Sequence, residues 1–165
     1  MLQKIIFIFL LSSFSLSILA QETTIILVRH AETFEGGSER MLNEVGKKRA
    51  LELKRTLQNV KLDAIYSTDL NRTKQTVHPI SLDRGLEIIP YDPTNLNDFA
   101  YRLLKNHVGE TILVSGHSNT TPQLVNALIG DKKYDDFDET EFYHLFILSF
   151  ATNLPPKVLQ LSYGF

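Results

Sequence analysis

Two apolar runs in this chain stop at a histidine, and that pattern constrains the fold more than any other feature. Thr24 to Val28 reads as a short buried strand and runs directly into Arg29-His30. Thr111-Ile112-Leu113-Val114 ends the same way, in Ser115-Gly116-His117-Ser118-Asn119. Open α/β sheets place their ligand sites outside the carboxyl ends of their strands, so both histidines stand where a site is expected. Between them, Ile65-Tyr66-Ser67-Thr68-Asp69-Leu70-Asn71-Arg72-Thr73-Lys74-Gln75-Thr76 makes a third strand-to-helix junction. It carries Arg72 in the first turn of the following helix. All three junctions open on the same edge of a parallel sheet and converge on one pocket.

The alternation of apolar runs and helical patterns predicts a three-layer α/β/α sandwich around a mostly parallel sheet. Asn43 caps a helix over about Glu44–Leu57 whose apolar face is Val45, Ala50, Leu53 and Leu57. A strand at Ala64–Ser67 leads to a short helix from about Asn71 that Pro79 should end. A strand at Leu86–Tyr91 follows, then a helix with Leu96, Phe99, Ala100, Leu103, Leu104 and His107 at helical spacing. After the strand at Thr111–Ser115 comes a helix containing Leu124, Val125, Leu128 and Ile129, closed by Gly130. Strands at about Tyr143–Phe150 and Lys157–Leu161 complete the count. The charged stretch Asp131–Glu141 reads most simply as a solvated loop.

The first twenty residues stand apart. Lys4, the unbroken apolar run Ile5–Leu11 and the small residue Ala20 predict a secretory signal peptide cleaved after Ala20. An uncleaved anchor and a buried helix are the alternatives. Residues 21–165 then form one exported domain, periplasmic or extracellular, with no stable membrane insertion after cleavage. Loss of Lys4 makes the net charge one unit more negative than the −2 of the whole chain, so no bulk polyanion, nucleic acid included, is an expected partner. The chain has no cysteine, which excludes disulfides, thiolate metal sites and a cysteine nucleophile.

Four blocks in order carry a family resemblance. They are Leu27-Val28-Arg29-His30-Ala31-Glu32-Thr33, Leu42-Asn43-Glu44-Val45-Gly46-Lys47-Lys48-Arg49-Ala50, Ser67-Thr68-Asp69-Leu70-Asn71-Arg72-Thr73-Lys74-Gln75-Thr76 and Val114-Ser115-Gly116-His117-Ser118-Asn119. Together they resemble the histidine phosphatase superfamily, which includes phosphoglycerate mutases and phosphohistidine phosphatases. The resemblance implies a phosphoglycerate mutase-like fold and a phosphatase that works through a phosphohistidine on His30, with no cofactor and no metal. Arg29 and Arg72 offer planar charged forks to a phosphoryl group in transfer, and His117 donates to a further oxygen. His30 attacks through a neutral ring nitrogen while its other nitrogen keeps its proton on a backbone carbonyl.

Glu32 is expected to orient the arginine cluster, or else to be a solvated loop carboxylate. Asn119 either caps the following helix or faces the ligand. His78, His107 and His144 match no block and are structural. The leaving-group acid is the open place in the pattern. Many family members put a glutamate after the strand that follows the Arg72 block, and the acid-phosphatase branch has an aspartate directly after its second histidine, where this chain has Ser118. Asp92, just past Leu86–Tyr91, lies nearest the expected place, with a turn-forming role beside Pro93 as its alternative; Glu87 and Glu32 are lesser candidates. An acid-free mechanism on a phosphoramidate or acyl phosphate also satisfies the pattern.

With no large insertion, the pocket is bounded by Phe34–Leu42, Tyr91–Asn97 and Gly130–Thr140. The expected substrate is a phosphorylated small molecule, phosphoprotein or envelope component, with exposed phosphate on a larger molecule favoured. A binding protein that keeps the cationic pocket without efficient turnover is the competing reading.

Overall fold

The computed structural model describes residues 22–37 and 39–165. The signal-peptide reading and the start at Gln21 fall outside the described residues. Six strands form one sheet in the order β3-β2-β4-β1-β5-β6: β1 (Thr23–Arg29), β2 (Ala64–Thr68), β3 (Ile88–Tyr91), β4 (Thr111–Gly116), β5 (His144–Phe150) and β6 (Lys157–Ser162). The first four are parallel, β5 pairs antiparallel with β1, and β6 pairs antiparallel with β5.

Successive side chains of a strand face opposite sides, and both sides are apolar here because both are covered. Helices α1 (Glu44–Thr56) and α2 (Asn71–Arg84) cover one face, where Leu53, Val77 and Ile80 pack on Ile26, Val28, Ile65 and Leu113. Helices α3 (Leu96–Asn106) and α4 (Thr120–Ile129) cover the other, with Phe99, Leu103, Leu124 and Val125 against Ile25, Leu27, Ile112 and Val114. The result is a three-layer α/β/α sandwich of the phosphoglycerate mutase-like kind. No helix among the described residues is long and apolar enough to cross a membrane.

Three local expectations are corrected. Pro79 does not end α2, which runs on to Arg84. A proline inside a helix costs about 3 kcal/mol, but Val77 and Ile80 on either side of it are buried at 0% and 2% exposure, and burying two such side chains returns roughly that much or more. The helix stops instead at Gly85, whose φ of 64° only glycine adopts without strain. The following strand starts at Ile88 rather than Leu86. Leu86 is held in the helix-ending turn, where its N–H donates to the Ser81 carbonyl and its own carbonyl accepts from Ser81 Oγ. Finally, Val45 is exposed, and Gly46 and Arg49 face inward beside Ala50 and Leu53. A Cβ on Gly46 would lie 2.0 Å from the Glu32 carbonyl oxygen, so α1 docks on the segment just past β1 through a residue with no side chain.

Candidate active site

Parallel pairing puts the ends of β1 and β4 side by side, with Arg29 in register with Gly116 and the His30 N–H donating to the Gly116 carbonyl at 2.9 Å. His30 and His117 therefore emerge next to one another, ring centroids 5.5 Å apart and steeply inclined. Arg72 enters from the first turn of α2, its Nη2 3.4 Å from His117 Nδ1. An open cavity of about 600 Å³ is lined by His30, Arg72 and His117 and by residues of all three loops expected to bound it: Arg40, Pro93, Thr94, Asp136, Phe137 and Glu139. Ser118 and Asn119 complete the wall, and Asn119 also caps α4 by accepting from the Thr120 N–H.

His30 is held for one tautomer. Its Nδ1 lies 2.8 Å from the Ala31 carbonyl, which only accepts, so Nδ1 carries the proton and Nε2 keeps its lone pair. Burial, with His117, Arg29 and Arg72 adding repulsion, pushes its pKa down from 6.5 to about 3, so the ring is neutral at ordinary pH. His117 is lowered to about 4 by burial and then by Arg72, Arg29 and Arg40. Since Arg72 only donates, His117 Nδ1 accepts from it and Nε2 donates to Thr68 Oγ1 at 2.9 Å.

Arg29 is almost wholly buried, at 1% exposure. Its Nη1 donates to the Asp138 and Glu141 carbonyls at 2.7 and 3.0 Å, and Nη2 pairs with Glu139 at 2.7 Å. Desolvation by burial lowers the pKa of Arg29 and likewise of Arg72, and Arg40 adds a smaller repulsion to each. The stretch Asp131–Glu141, expected as a solvated loop, is largely exposed and also borders the site. Asn126 and Ser118 also hold it, through Asn126 Oδ1 accepting from Tyr134 N and the Ser118 carbonyl accepting from Phe137 N.

Two expected roles are corrected. Asp92 is exposed at the end of β3, and one of its carboxylate oxygens accepts from both the N–H and the hydroxyl of Thr94. Those bonds to the charged form lower its pKa, the reverse of what a proton donor needs. It is the turn residue. Glu32 does not orient Arg29 or Arg72: its carboxylate is clasped by Arg49 of α1, with Nε at 2.9 and 3.0 Å and Nη2 at 2.7 Å. Arg49 in turn donates Nη1 to the Tyr163 carbonyl. Glu87 is exposed on the way into β3. Of the remaining histidines, His107 links the Tyr66 hydroxyl to Glu110, His144 stacks on Phe137, and His78 is exposed.

Sequence reasoning passed over three participants. Arg40, in the glycine-containing loop, joins Arg72 on the cavity wall, its Nε buried without a hydrogen-bond partner among the described residues. Thr68 fixes the His117 ring, and Glu139 engages Arg29. Arg40 and Glu139 sit in segments with no periodicity, so only their charge marked them; Thr68 lies one residue past the strand end expected from the sequence and is the last residue of β2. Among the described residues, no group of three or more His, Asp or Glu is arranged to hold a metal ion.

The geometry is that of a cationic pocket with two neutral histidines at the carboxyl edge of a phosphoglycerate mutase-like sheet. Residues 25–94 match the histidine phosphatase superfamily (branch 1). That match spans the segment from β1 to the turn after β3 and carries Arg29, His30 and Arg72; the fold around it is phosphoglycerate mutase-like. Phosphoserine phosphatase 1 of Hydrogenobacter thermophilus is 40% identical over 75 residues, 41% of this chain and 36% of the relative, so the matched stretch spans about a third of that protein's length. Among solved structures, the α-ribazole phosphatase of Shigella flexneri superposes with a TM-score of 0.69 at 16% identity, covering 84% of this chain and 96% of the other. The phosphoserine phosphatase of Entamoeba histolytica, solved with 3-phosphoglyceric acid, gives 0.64 at 17% identity, covering 87% and 97%. At these identities the structural likeness is one of fold.

Proposed function

We propose that this protein is a metal-independent phosphatase that hydrolyses a phosphate monoester or related phosphoryl group through a phosphohistidine on His30. One observation carries the reading. A neutral, tautomer-fixed His30 stands beside His117 in a cavity that Arg40 and Arg72 also line, and Arg29 lines a second cavity that shares His30, Arg40 and Glu139 with the first. Phosphoryl transfer spreads negative charge over three equatorial oxygens, so positioned cations and an in-line nucleophile are most of what a protein must supply. Arg29, Arg72 and Arg40 take the oxygens, and His30 Nε2 attacks phosphorus. A bound dianion favours protonation of His117, which then turns from acceptor to donor. Water hydrolyses the phosphohistidine and restores His30.

Residues 21–165 are the catalytic domain in this reading, exported behind a signal peptide. The substrate is a phosphorylated molecule presented from outside an open cavity, and the family relatives' activities on phosphoserine and α-ribazole phosphate mark small phosphate esters as the first to assay.

The engagement of Asp92 with Thr94 favours one second reading, a phosphate-binding protein without turnover, since it removes the expected acid from service. Hydrolysis of p-nitrophenyl phosphate separates the two, because its leaving group departs without a proton. The phosphatase reading requires wild-type turnover that His30→Ala abolishes. Equal rates for the two proteins, with phosphate binding retained, leave only the binding protein.

A further inference from the structure

An alkyl phosphate gives up its leaving oxygen poorly as an alkoxide, so its hydrolysis calls for a proton donor inside the cavity. Two carboxylates line the cavity with His30 and His117. Asp136 is turned away on to Gln123, whose Nε2 donates to it at 3.0 Å. Glu139 faces the site. Its Oε2 sits 2.7 Å from Arg29 Nη2, and its Oε1 accepts from the hydroxyl of Ser118, the residue after His117, at 3.0 Å.

The state of Arg29 shows what this contact displaces. Backbone carbonyls consume Nη1, and Nε is buried without a hydrogen-bond partner among the described residues. The Nε–Nη2 edge, which grips two oxygens at once, is therefore the edge left for a ligand. Glu139 occupies half of it. A phosphoryl group that takes both positions must push this carboxylate aside, and the side chain, 81% exposed, has room to swing within the mouth.

We infer that Glu139 is a catalytic residue, the proton donor to the leaving group and the acceptor from the hydrolytic water. The inference rests on the phosphatase reading above. The protons balance as follows. The second ionisation of a phosphate group lies near pH 6, so part of the substrate arrives as the monoanion; as its oxygens dock on the arginines, that proton passes to the displaced Glu139. His30 Nε2 forms the P–N bond while the P–O ester bond breaks, and the leaving oxygen takes the electron pair and the proton from Glu139. In the second half, water forms the new P–O bond and gives a proton to the Glu139 carboxylate as the P–N pair returns to His30. The proton leaves with inorganic phosphate, and Glu139 returns to Arg29 and Ser118.

The test is Glu139→Gln in the full chain, assayed on glycerol 2-phosphate and on p-nitrophenyl phosphate, with inhibition by inorganic phosphate as a check of folding and binding. The alkyl ester's kcat should fall roughly 10² to 10⁴-fold, the usual worth of general acid–base help, while the aryl ester's falls less than about tenfold. Inorganic phosphate should bind at least as tightly as to wild type, because no carboxylate competes for Arg29. Asp92→Asn should leave both rates unchanged. Equal losses on the two esters, or no loss on either, overturn the assignment of Glu139 and leave phospho-His30 standing. Wild-type protein inactive on both esters removes the phosphatase reading and this assignment with it.

Discussion

Replacing Arg49 by alanine should destabilise the protein by roughly 3–5 kcal/mol, the cost of leaving one member of a buried ion pair without its partner. Arg49 is 6% exposed, and the Glu32 side chain that it clasps through three contacts of 2.7–3.0 Å is 16% exposed. The substitution strands that carboxylate against α1, where Gly46 already presses on the Glu32 backbone, so the acid cannot easily turn out to water. It also removes the donor to the Tyr163 carbonyl, worth about 1 kcal/mol within that total. Against a typical stability of roughly 5–15 kcal/mol the variant is marginal. Urea unfolding at pH 7, followed by circular dichroism and by tyrosine fluorescence, reads the loss as a lower midpoint at unchanged slope. Glu32→Gln should cost a similar amount by stranding the cation, whereas the double variant Glu32→Gln, Arg49→Met should be more stable than Arg49→Ala, since neither charge is then left alone. Losses under about 1 kcal/mol for both single variants would refute the reasoning, because that is the worth of a solvated surface pair.

Two further outcomes follow from the same structure. Stability should fall as pH drops from 6.5 towards 4, because His30 and His117 titrate near 3 and 4 when folded but near 6.5 when unfolded, and the unfolded chain alone takes up those protons; between pH 6.5 and 5 this amounts to about 2 kcal/mol for each ring, so the urea midpoint of His117→Asn should change less over that range than that of wild type. Arg40→Ala should weaken inhibition by inorganic phosphate about ten- to a hundredfold, the loss of one charge-assisted hydrogen bond, while leaving the urea midpoint nearly unmoved because Arg40 lies in a surface loop.

What the sequence displays of this site is what local pattern can carry. Arg29, His30 and His117 were legible because each follows an uninterrupted buried strand, and Arg72 because Asn71 opens a helix directly after another. Arg40 and Glu139 were not, since they belong to loops whose course is set by long-range bonds. Arg29 itself fixes the second loop by reaching the carbonyls of residues 138 and 141, more than a hundred positions away. Arg49 was hidden for a related reason: helical spacing marks apolar faces, and a buried arginine looks like any surface charge until its carboxylate partner is in place. Pro79 misled because its local cost is real and is outweighed only by the packing of its neighbours. Asp92 was placed correctly at the end of β3, but the hydroxyl two residues on claimed its carboxylate for the turn.

The central claim is that His30 carries the phosphoryl group. Brief mixing of the protein with phosphorus-labelled p-nitrophenyl phosphate, followed by denaturation in alkali, should leave label on the peptide containing His30. That label should survive base and be lost in acid, as a phosphoramidate is when its nitrogen gains a proton. It should be absent from His30→Ala and present in His117→Ala at reduced yield. Label that persists in His30→Ala, or that survives acid as a phosphate ester would, contradicts the account.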